Sequence, residues 1–517
     1  MQNLHIEYIY CKHLLGMEVF DVDQSQLVQT FIDQIKAMVE QNKKLIESNT
    51  EKDKQITALT EEIGKLTAQV EALTAKIEEL EHKKNSNNSS KPPSEERLDK
   101  PAPKSLRGKS DKKQGGQLGH KGTGMKIDRK PDQVEEHIPE KCKECPRRGQ
   151  CSMKCCDMRY EYDVHVETKL IAHKVMGCTC PLSGEKVQGE FPSGITGTKQ
   201  YGAGVYALVN TLLTVGYVSV ERTKQLLTSL QIPISTGAIQ NILGKAADSA
   251  KEAVERIKDR ITGKEVVHFD ETGLRVAGSL HWLHCACSGS WRFYTVQKKR
   301  GEEGMEAMGV LPQYHGVAVH DFWSSYKKFQ NAIHAMCCQH LERELVFAEE
   351  TGKQEWAGKL RKLLQSMCHA KNQLMADGRT AFTDEELQQY MSRYDSIVAQ
   401  GLTANPLPER KPGKRGRLKK GKIRCLLERF QDCKTDILRF ATDWRVPYTN
   451  NAAEQAIRFA RVKEKVSGCF RTEKGAECFA SVLSFISTAA SHGISCFDAC
   501  LSLRQGTALK LVKGWQD

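Results

Sequence analysis

Three carboxylates stand in contexts that could do chemistry together. Asp270 lies in "HFDETG" (268–273), Asp321 in "HDFWSSYKKF" (320–329) and Glu454 in "NNAAEQAIRFARVKEK" (450–465). Asp270 follows the apolar pair Val266–Val267 and reads as the end of a buried strand. Asp321 follows "GVAVH" and reads the same way. Glu454 falls in the first turn of a helix that "TNN" (449–451) opens. The gaps between the three are too wide for a local motif, so only the tertiary fold can gather them. Gathered, they would supply the hard oxygen donors that two Mg²⁺ (or Mn²⁺) ions prefer, at a spacing near ~4 Å. Such a pair serves in-line displacement at phosphorus, one ion activating a water or a 3′-hydroxyl and the other stabilising the leaving oxygen. Without cations, the same carboxylates would repel one another.

The residues around them divide by role. Arg458 and Arg461 follow Glu454 at i+4 and i+7, on one helix face, with Lys465 further along. A carboxylate towards metal and guanidinium groups towards DNA phosphate is one division of labour; a plain surface ion pair is the other. His268 is expected to be structural and to face away from Asp270. Glu271 is expected to be a turn or supporting group. A second set is cysteine-based. Cys142-x2-Cys145 and Cys178-x-Cys180 flank the alternating segment "YEYDVHVETKLIAHKV". Two cysteine knuckles bridged by strands suit one structural Zn²⁺, with Cys151, Cys155 and Cys156 as rival ligands.

The elements that must position these groups can be read in order. Ile56, Leu59, Ile63, Leu66, Val70, Leu73, Ile77 and Leu80 alternate spacings of three and four. That is the 3.5-residue period of a coiled coil, and β-branched residues at a with Leu at d favour a parallel dimer. Traced back, Val28, Phe31, Ile35, Met38 and Leu45 join the seam, and Asn42 and Asn49 fall at a. "NSNNSSKPPSEE" (85–96) stops the helix. "VERTKQLLTSL", "QIPIS" and "TGAIQNILGKA" have helix–turn–helix proportions, with Ser235 or Thr236 as cap. From 264 strands come first and helices follow, a mixed α/β pattern.

The boundaries expected are a coiled coil over 1–84 and a basic linker over 85–131. A zinc-binding β module over 132–192 and a helical, DNA-binding region over 193–262 come next. An α/β catalytic domain follows over 263–490, with a helical insertion at about 345–440, and a tail over 491–517. Met17 is a plausible alternative start.

Charge and composition agree with this division. The chain of 517 residues carries a net charge of +13. Residues 83–130 hold 14 Lys/Arg against 5 Asp/Glu, and "RKPGKRGRLKKGKIR" (410–424) has nine basic residues and no acidic one. Such runs neutralise phosphates and give salt-sensitive affinity for nucleic acid; a solubilising linker is the plainer reading. No apolar run reaches the length of a membrane span, and no secretory signal is apparent. Nineteen cysteines in a reducing cytoplasm point to metal before disulfides.

"NSSKPPS", "GGQLGHKG", the cysteine module, "HFDETG", "HDFWSSYKKF", "CCQHLER" and "NNAAEQAIRFARVKEKVSGCFRTEKGAE" occur in this order. From the coiled coil to the end, the chain resembles transposases of the insertion sequence 66 family, bacterial DDE enzymes. The resemblance implies a leucine zipper, a zinc-binding domain and a ribonuclease-H-like catalytic domain. It assigns the catalytic carboxylates to Asp270, Asp321 (with Tyr326 after it) and Glu454. It matches a Cys-x2-His-x2-Arg element with Cys337, His340 and Arg343, and a basic position with Arg461. The chain departs from the family pattern at Gln455, at Arg343–Glu344 and in "KEKVSGCF". The implied function is that of a dimeric transposase, cytoplasmic and nucleoid-associated. It would bind the inverted repeats of a mobile element, cleave them with Mg²⁺ and join them to target DNA, with accessory proteins of the same element as partners. A non-catalytic DNA-binding regulator and a nuclease without strand transfer are the rival readings.

Overall fold

The computed structural model describes residues 24–81, 125–350, 352–408, 418 and 420–516. Met17, most of the basic linker and most of the 410–424 cluster lie outside the described residues. The chain divides into two units, Met1–Lys83 and Lys84–Asp517. The described residues of the first form one helix, α1 (Gln24–Glu81), of 58 residues. Its seam residues Ile56, Leu59, Ile63, Leu66, Val70 and Leu73 are 54–63% exposed in the single chain. Nothing within one helix can bury a heptad stripe.

In the second unit, the described residues before the first strand carry one short helix, Glu140–Lys143. The first strands, β1 (Gly177–Thr179) and β2 (Lys186–Gln188), form a short antiparallel hairpin. The alternating segment 160–175, expected as strand, has none; Tyr160, Tyr162, Val164 and Val166 stay exposed, with no partner strand to cover them.

Helices α2 (Ala203–Thr214), α3 (Val220–Ser229) and α4 (Thr236–Thr262) follow. Ser235 caps α4, its side chain accepting from Ala238 N at 3.1 Å. The pair α3–α4 has the expected proportions, but it is not a separate module. Ile239, Ile242, Ala246, Ala250, Val254, Ile257 and Ile261 of α4 lie in the same core as the sheet.

That sheet has five strands: β3 (Val266–Val276), β4 (Ser279–Ser288), β5 (Trp291–Gln297), β6 (Val317–His320) and β7 (Ile333–Met336). Their order is β5-β4-β3-β6-β7. The first three form an antiparallel meander, and β3–β6 and β6–β7 are parallel. Ala277 and Gly278, both at positive φ, make the two-residue turn between β3 and β4, a backbone that suits the twist of a hairpin. β6 is buried throughout, as a central parallel strand covered on both faces should be. Between β5 and β6 stands α5 (Glu302–Met308).

After β7 come α6 (Cys338–Glu350), α7 (Glu355–Ala376), α8 (Asp384–Ala404) and α9 (Lys422–Asp432). They share a second core with β6 and β7, in which Leu341, Leu345, Leu360, Leu364, Leu427 and Phe430 pack against Val319 and Ala335. The chain then returns through α10 (Asn451–Ile457), α11 (Phe459–Ser467) and α12 (Glu473–Ser491). Residues 491–517 are not a loose tail. They form α13 (Cys496–Gln505) and α14 (Ala508–Gly514), whose Leu503 and Val512, with Trp515, complete the first core. The apolar spacing of the segment, buried on one side only, is what makes it fold back.

Candidate active site

The register of the sheet brings two of the three carboxylates level. β3 and β6 pair up to His268↔Val319. Continued by two residues, that register sets Asp321, the residue directly after β6, opposite Asp270. Level residues on parallel neighbours point to the same face. Asp270 does not end its strand, contrary to the sequence reading. β3 runs on to Val276 because β4 continues to pair with it, and Asp270 faces Cys285 in that ladder. What ends near Asp270 is only the parallel partner. The C-terminal end of β6 therefore opens a notch beside Asp270, where ligands of open α/β sheets commonly bind.

The segment from Asn450 to Phe470, which carries Glu454, is held to β3 and the turn after it at both ends. Asn450 is buried, and its side chain does not cap α10. Its Nδ2 donates to Phe269 O at 2.8 Å, and its Oδ1 accepts from His268 Nδ1 at 2.8 Å. Its backbone N donates to Cys337 Sγ at 3.2 Å. At the far end, Phe470 N donates to Arg275 O at 2.9 Å and Ala277 N to Phe470 O at 2.8 Å. His268 thus shares the face of Asp270, as positions two apart in a strand must, and the expectation that it faces away is corrected.

On the opposite face Glu271 is buried, not a turn group. Arg300 Nε donates to its Oε1 at 2.9 Å, and the Tyr326 hydroxyl donates to its Oε2 at 2.5 Å. Arg300 also reaches Asp321 Oδ2 at 3.8 Å and stacks over the Trp323 ring at 3.5 Å. Sequence reading missed Arg300, which stands in no pattern, and read Asn450 only as part of the helix-opening "TNN"; the bonds of each come from strands that the fold brings near.

Burial, then the neighbouring Glu271 and Asp321, push the Asp270 carboxyl well above the usual range, with Glu454 adding to the effect. Burial and Asp321 push Glu271 to about 7, against the opposing pull of Arg300. This is the electrostatic state that a bound cation relieves, and the donors around Asp270 and Asp321 are oxygens. The residues therefore fit a hard divalent ion.

Glu454 stands apart from a simple triad. Its Oε1 lies 3.6 Å from His340 Nδ1 and 3.9 Å from Cys337 Sγ. Among the described residues, Cys337, His340 and Glu454 are the only such group with ligand atoms all within 4.8 Å of one another. Asp270, Asp321 and Glu454 do not meet that distance together. Nor do Cys142, Cys145, Cys178 and Cys180, of which Cys178 is exposed and the others partly so. Cys142 lies on a four-residue helix (Glu140–Lys143) and Cys178 on β1, and no three of these thiols come within 4.8 Å of one another.

The basic candidates separate too. The single helix expected from 450 is interrupted at Arg458, between α10 and α11. Arg458 and Lys465 are exposed, while Arg461 is partly covered and lies 3.5 Å from Glu464. Arg343 is partly exposed on α6, one turn from His340.

No helix among the described residues is long and apolar enough to cross a membrane. No curated protein matches the chain. Residues 27–126 match a family of unknown function, DUF6444. Residues 198–478 match the Transposase IS66 family. This match takes in both strands of the notch, the whole insertion and the helix of Glu454, and it spans more than half the chain; the chain belongs to the IS66 family of transposases.

Proposed function

We propose that this chain is a DDE transposase, cutting the ends of its element and joining them to target DNA at the notch between β3 and β6. The observation that carries the reading is the levelling of Asp270 with Asp321 across β3–β6, with Glu454 strapped above them. The strand order, an antiparallel meander extended by two parallel strands, supports a ribonuclease-H-like domain. Asp270, Asp321 and Glu454 are the groups that would hold Mg²⁺ there. The ions, when bound, would activate the attacking oxygen and stabilise the leaving one.

The protein's own part is positioning and charge. Asn450 and Phe470 fix the helix of Glu454 against β3. Arg300 pairs with Glu271 and also reaches Asp321, so it offsets part of the carboxylate charge gathered here. Arg458, one turn after Glu454, and Lys465, further along α11, stand exposed to meet backbone phosphates and set the register of a duplex end. Hydrolysis and strand transfer differ only in the attacking oxygen, so one notch serves both.

The heptad seam of α1 supports parallel pairing of two chains, and the basic runs support contact with DNA. Asp270→Ala tests the reading. It should lose several kcal/mol of transition-state stabilisation, about 10³-fold in Mg²⁺-dependent nicking of an end-containing duplex, with end binding retained. Undiminished joining of ends to target by this variant would remove Asp270 from the site. Binding without any Mg²⁺-dependent nicking by the unmodified protein would favour a DNA-binding regulator.

A further inference from the structure

Glu454 belongs to two donor sets of different chemistry. Towards β3 and β6 lie the carboxylates of Asp270 and Asp321. On its other side lie a thiol and an imidazole. Tetrahedral zinc, with bonds of ~2.0 Å to N and O and ~2.3 Å to S, sets its ligand atoms roughly 3.3–3.5 Å apart. Here Oε1 stands 3.6 Å from Nδ1 and 3.9 Å from Sγ, with all three inside 4.8 Å. The two contacts to Oε1 are within a few tenths of an ångström of that spacing.

Three features suit it to a cation. His340 Nδ1 is buried and has no hydrogen-bond partner, so its lone pair or proton faces the cluster unmatched. Cys337 is fully buried and its Sγ is held by the N–H of Asn450; burial and Glu454 push the thiol up to about 12, so its proton leaves only when a cation takes its place. The side chains of His340 and Glu454 keep 16% and 20% exposure, enough to admit an ion and a fourth ligand from solvent. Cys337 and His340 are also locally pre-arranged. His340 sits in the first turn of α6, which starts at Cys338, and Cys337 N is tied to His320 O at 2.9 Å.

We propose that Cys337, His340 and Glu454 form a capture site for a borderline divalent cation, zinc by its donors, which withdraws Glu454 from the Mg²⁺ set and silences the enzyme. The regulatory half rests on the reading of Glu454 as the third active-site carboxylate. Magnesium, which avoids sulfur and prefers oxygen, would not compete for this set; zinc would take it. Binding displaces the thiol proton to solvent, and nothing is oxidised or reduced.

The test uses the full chain, with Co²⁺ as a visible stand-in for zinc. Cobalt is titrated into metal-free protein, into Cys337→Ala and into His340→Gln. The unmodified protein should bind one equivalent more than either variant and show added thiolate-to-cobalt absorption. The cysteines of 142–180 contribute equally to all three samples and cancel. His340→Gln, at a partly exposed position, guards against a folding failure of the buried Cys337→Ala, and thermal melts check both. In nicking assays at fixed Mg²⁺, His340→Gln should need about tenfold more zinc for half-inhibition. Equal cobalt equivalents and equal spectra in all three proteins would overturn the capture site while leaving Mg²⁺-dependent nicking as it stands. An extra, Cys337-dependent equivalent in a protein that never nicks DNA would keep the metal site and overturn its regulatory role along with the transposase reading. Equal zinc sensitivity of the unmodified protein and His340→Gln would overturn the regulatory role alone.

Discussion

Glu271 shows how a residue can gain its character from its neighbours. Its carboxyl sits at about 7 against 4.5 for the free group, because burial and Asp321 outweigh Arg300. Below pH 4.5 the folded and unfolded chains are both protonated there. Between 4.5 and about 7 the unfolded chain releases the proton and the folded chain keeps it. Stability of the metal-free protein should therefore fall as pH rises through this window, by up to about 3 kcal/mol from this group. Asp270, also raised, acts in the same direction. Urea denaturation at pH 5 and pH 8 should show the fall, and Glu271→Gln should shrink it while raising stability at pH 8. Mg²⁺ should stabilise the protein more at pH 8 than at pH 5, since only ionised carboxylates attract it. Asn450 makes a second residue-scale case. Asn450→Ala leaves Phe269 O and His268 Nδ1 without partners, and should cost about 2–4 kcal/mol, read as a lower urea midpoint at unchanged slope. The strand context of Asp270 was legible as chemistry; the buried pairing of Glu271 with Arg300 and Tyr326 was not, since those partners are 29 and 55 residues away.

At the scale of elements, two helices matter for different reasons. The pair α10–α11 is pinned to β3 at Asn450 and, through the turn that follows β3, at Phe470, with an interruption at Arg458 between these anchors. The sequence pattern showed a helix and its first turn, but nothing in it marks a one-residue interruption, because Arg458 keeps right-handed helical angles. The helix α1 is the opposite case, wholly legible. Its apolar stripe is so regular, and so exposed in the single chain, that it must find a partner or leave the seam in water. Ile63→Asp with Leu66→Asp places buried charges in the middle of the seam. The double variant should move the protein from dimer to monomer in sedimentation experiments, with the fold of the second unit retained in its thermal melt.

At the scale of the whole molecule, the division of cores differs from the division read along the chain. The helices before the sheet and those at the C-terminus share one core with β3–β5, and the inserted helices share another with β6 and β7. Deleting 491–517 should therefore unfold the second unit, not trim it: it removes Leu503, Val512 and Trp515 together, a loss of several kcal/mol at ~1.5–3 kcal/mol for each buried side chain. Loss of soluble, cooperatively melting protein on truncation is the measurement. The charge of the chain acts at this scale as well. Removal of 85–124 deletes most of the basic linker, so the slope of log affinity for DNA against log salt should become shallower by several counterions.

The sequence by itself determined the periodic and the compositional features: the heptad seam, the basic runs, the strand-then-helix order and the carboxylates at Asp270, Asp321 and Glu454. These depend on neighbours within a few residues, where side-chain period and charge act directly. Only the tertiary structure decided which face each group meets. It levelled Asp270 with Asp321 through the parallel register of β3 and β6 and turned Glu454 towards Cys337 and His340. It also buried Glu271 against Arg300 and Tyr326 and left the cysteines of 142–180 apart. Pairing register and packing are set by contacts between residues far apart in the chain, and no local spacing carries that information.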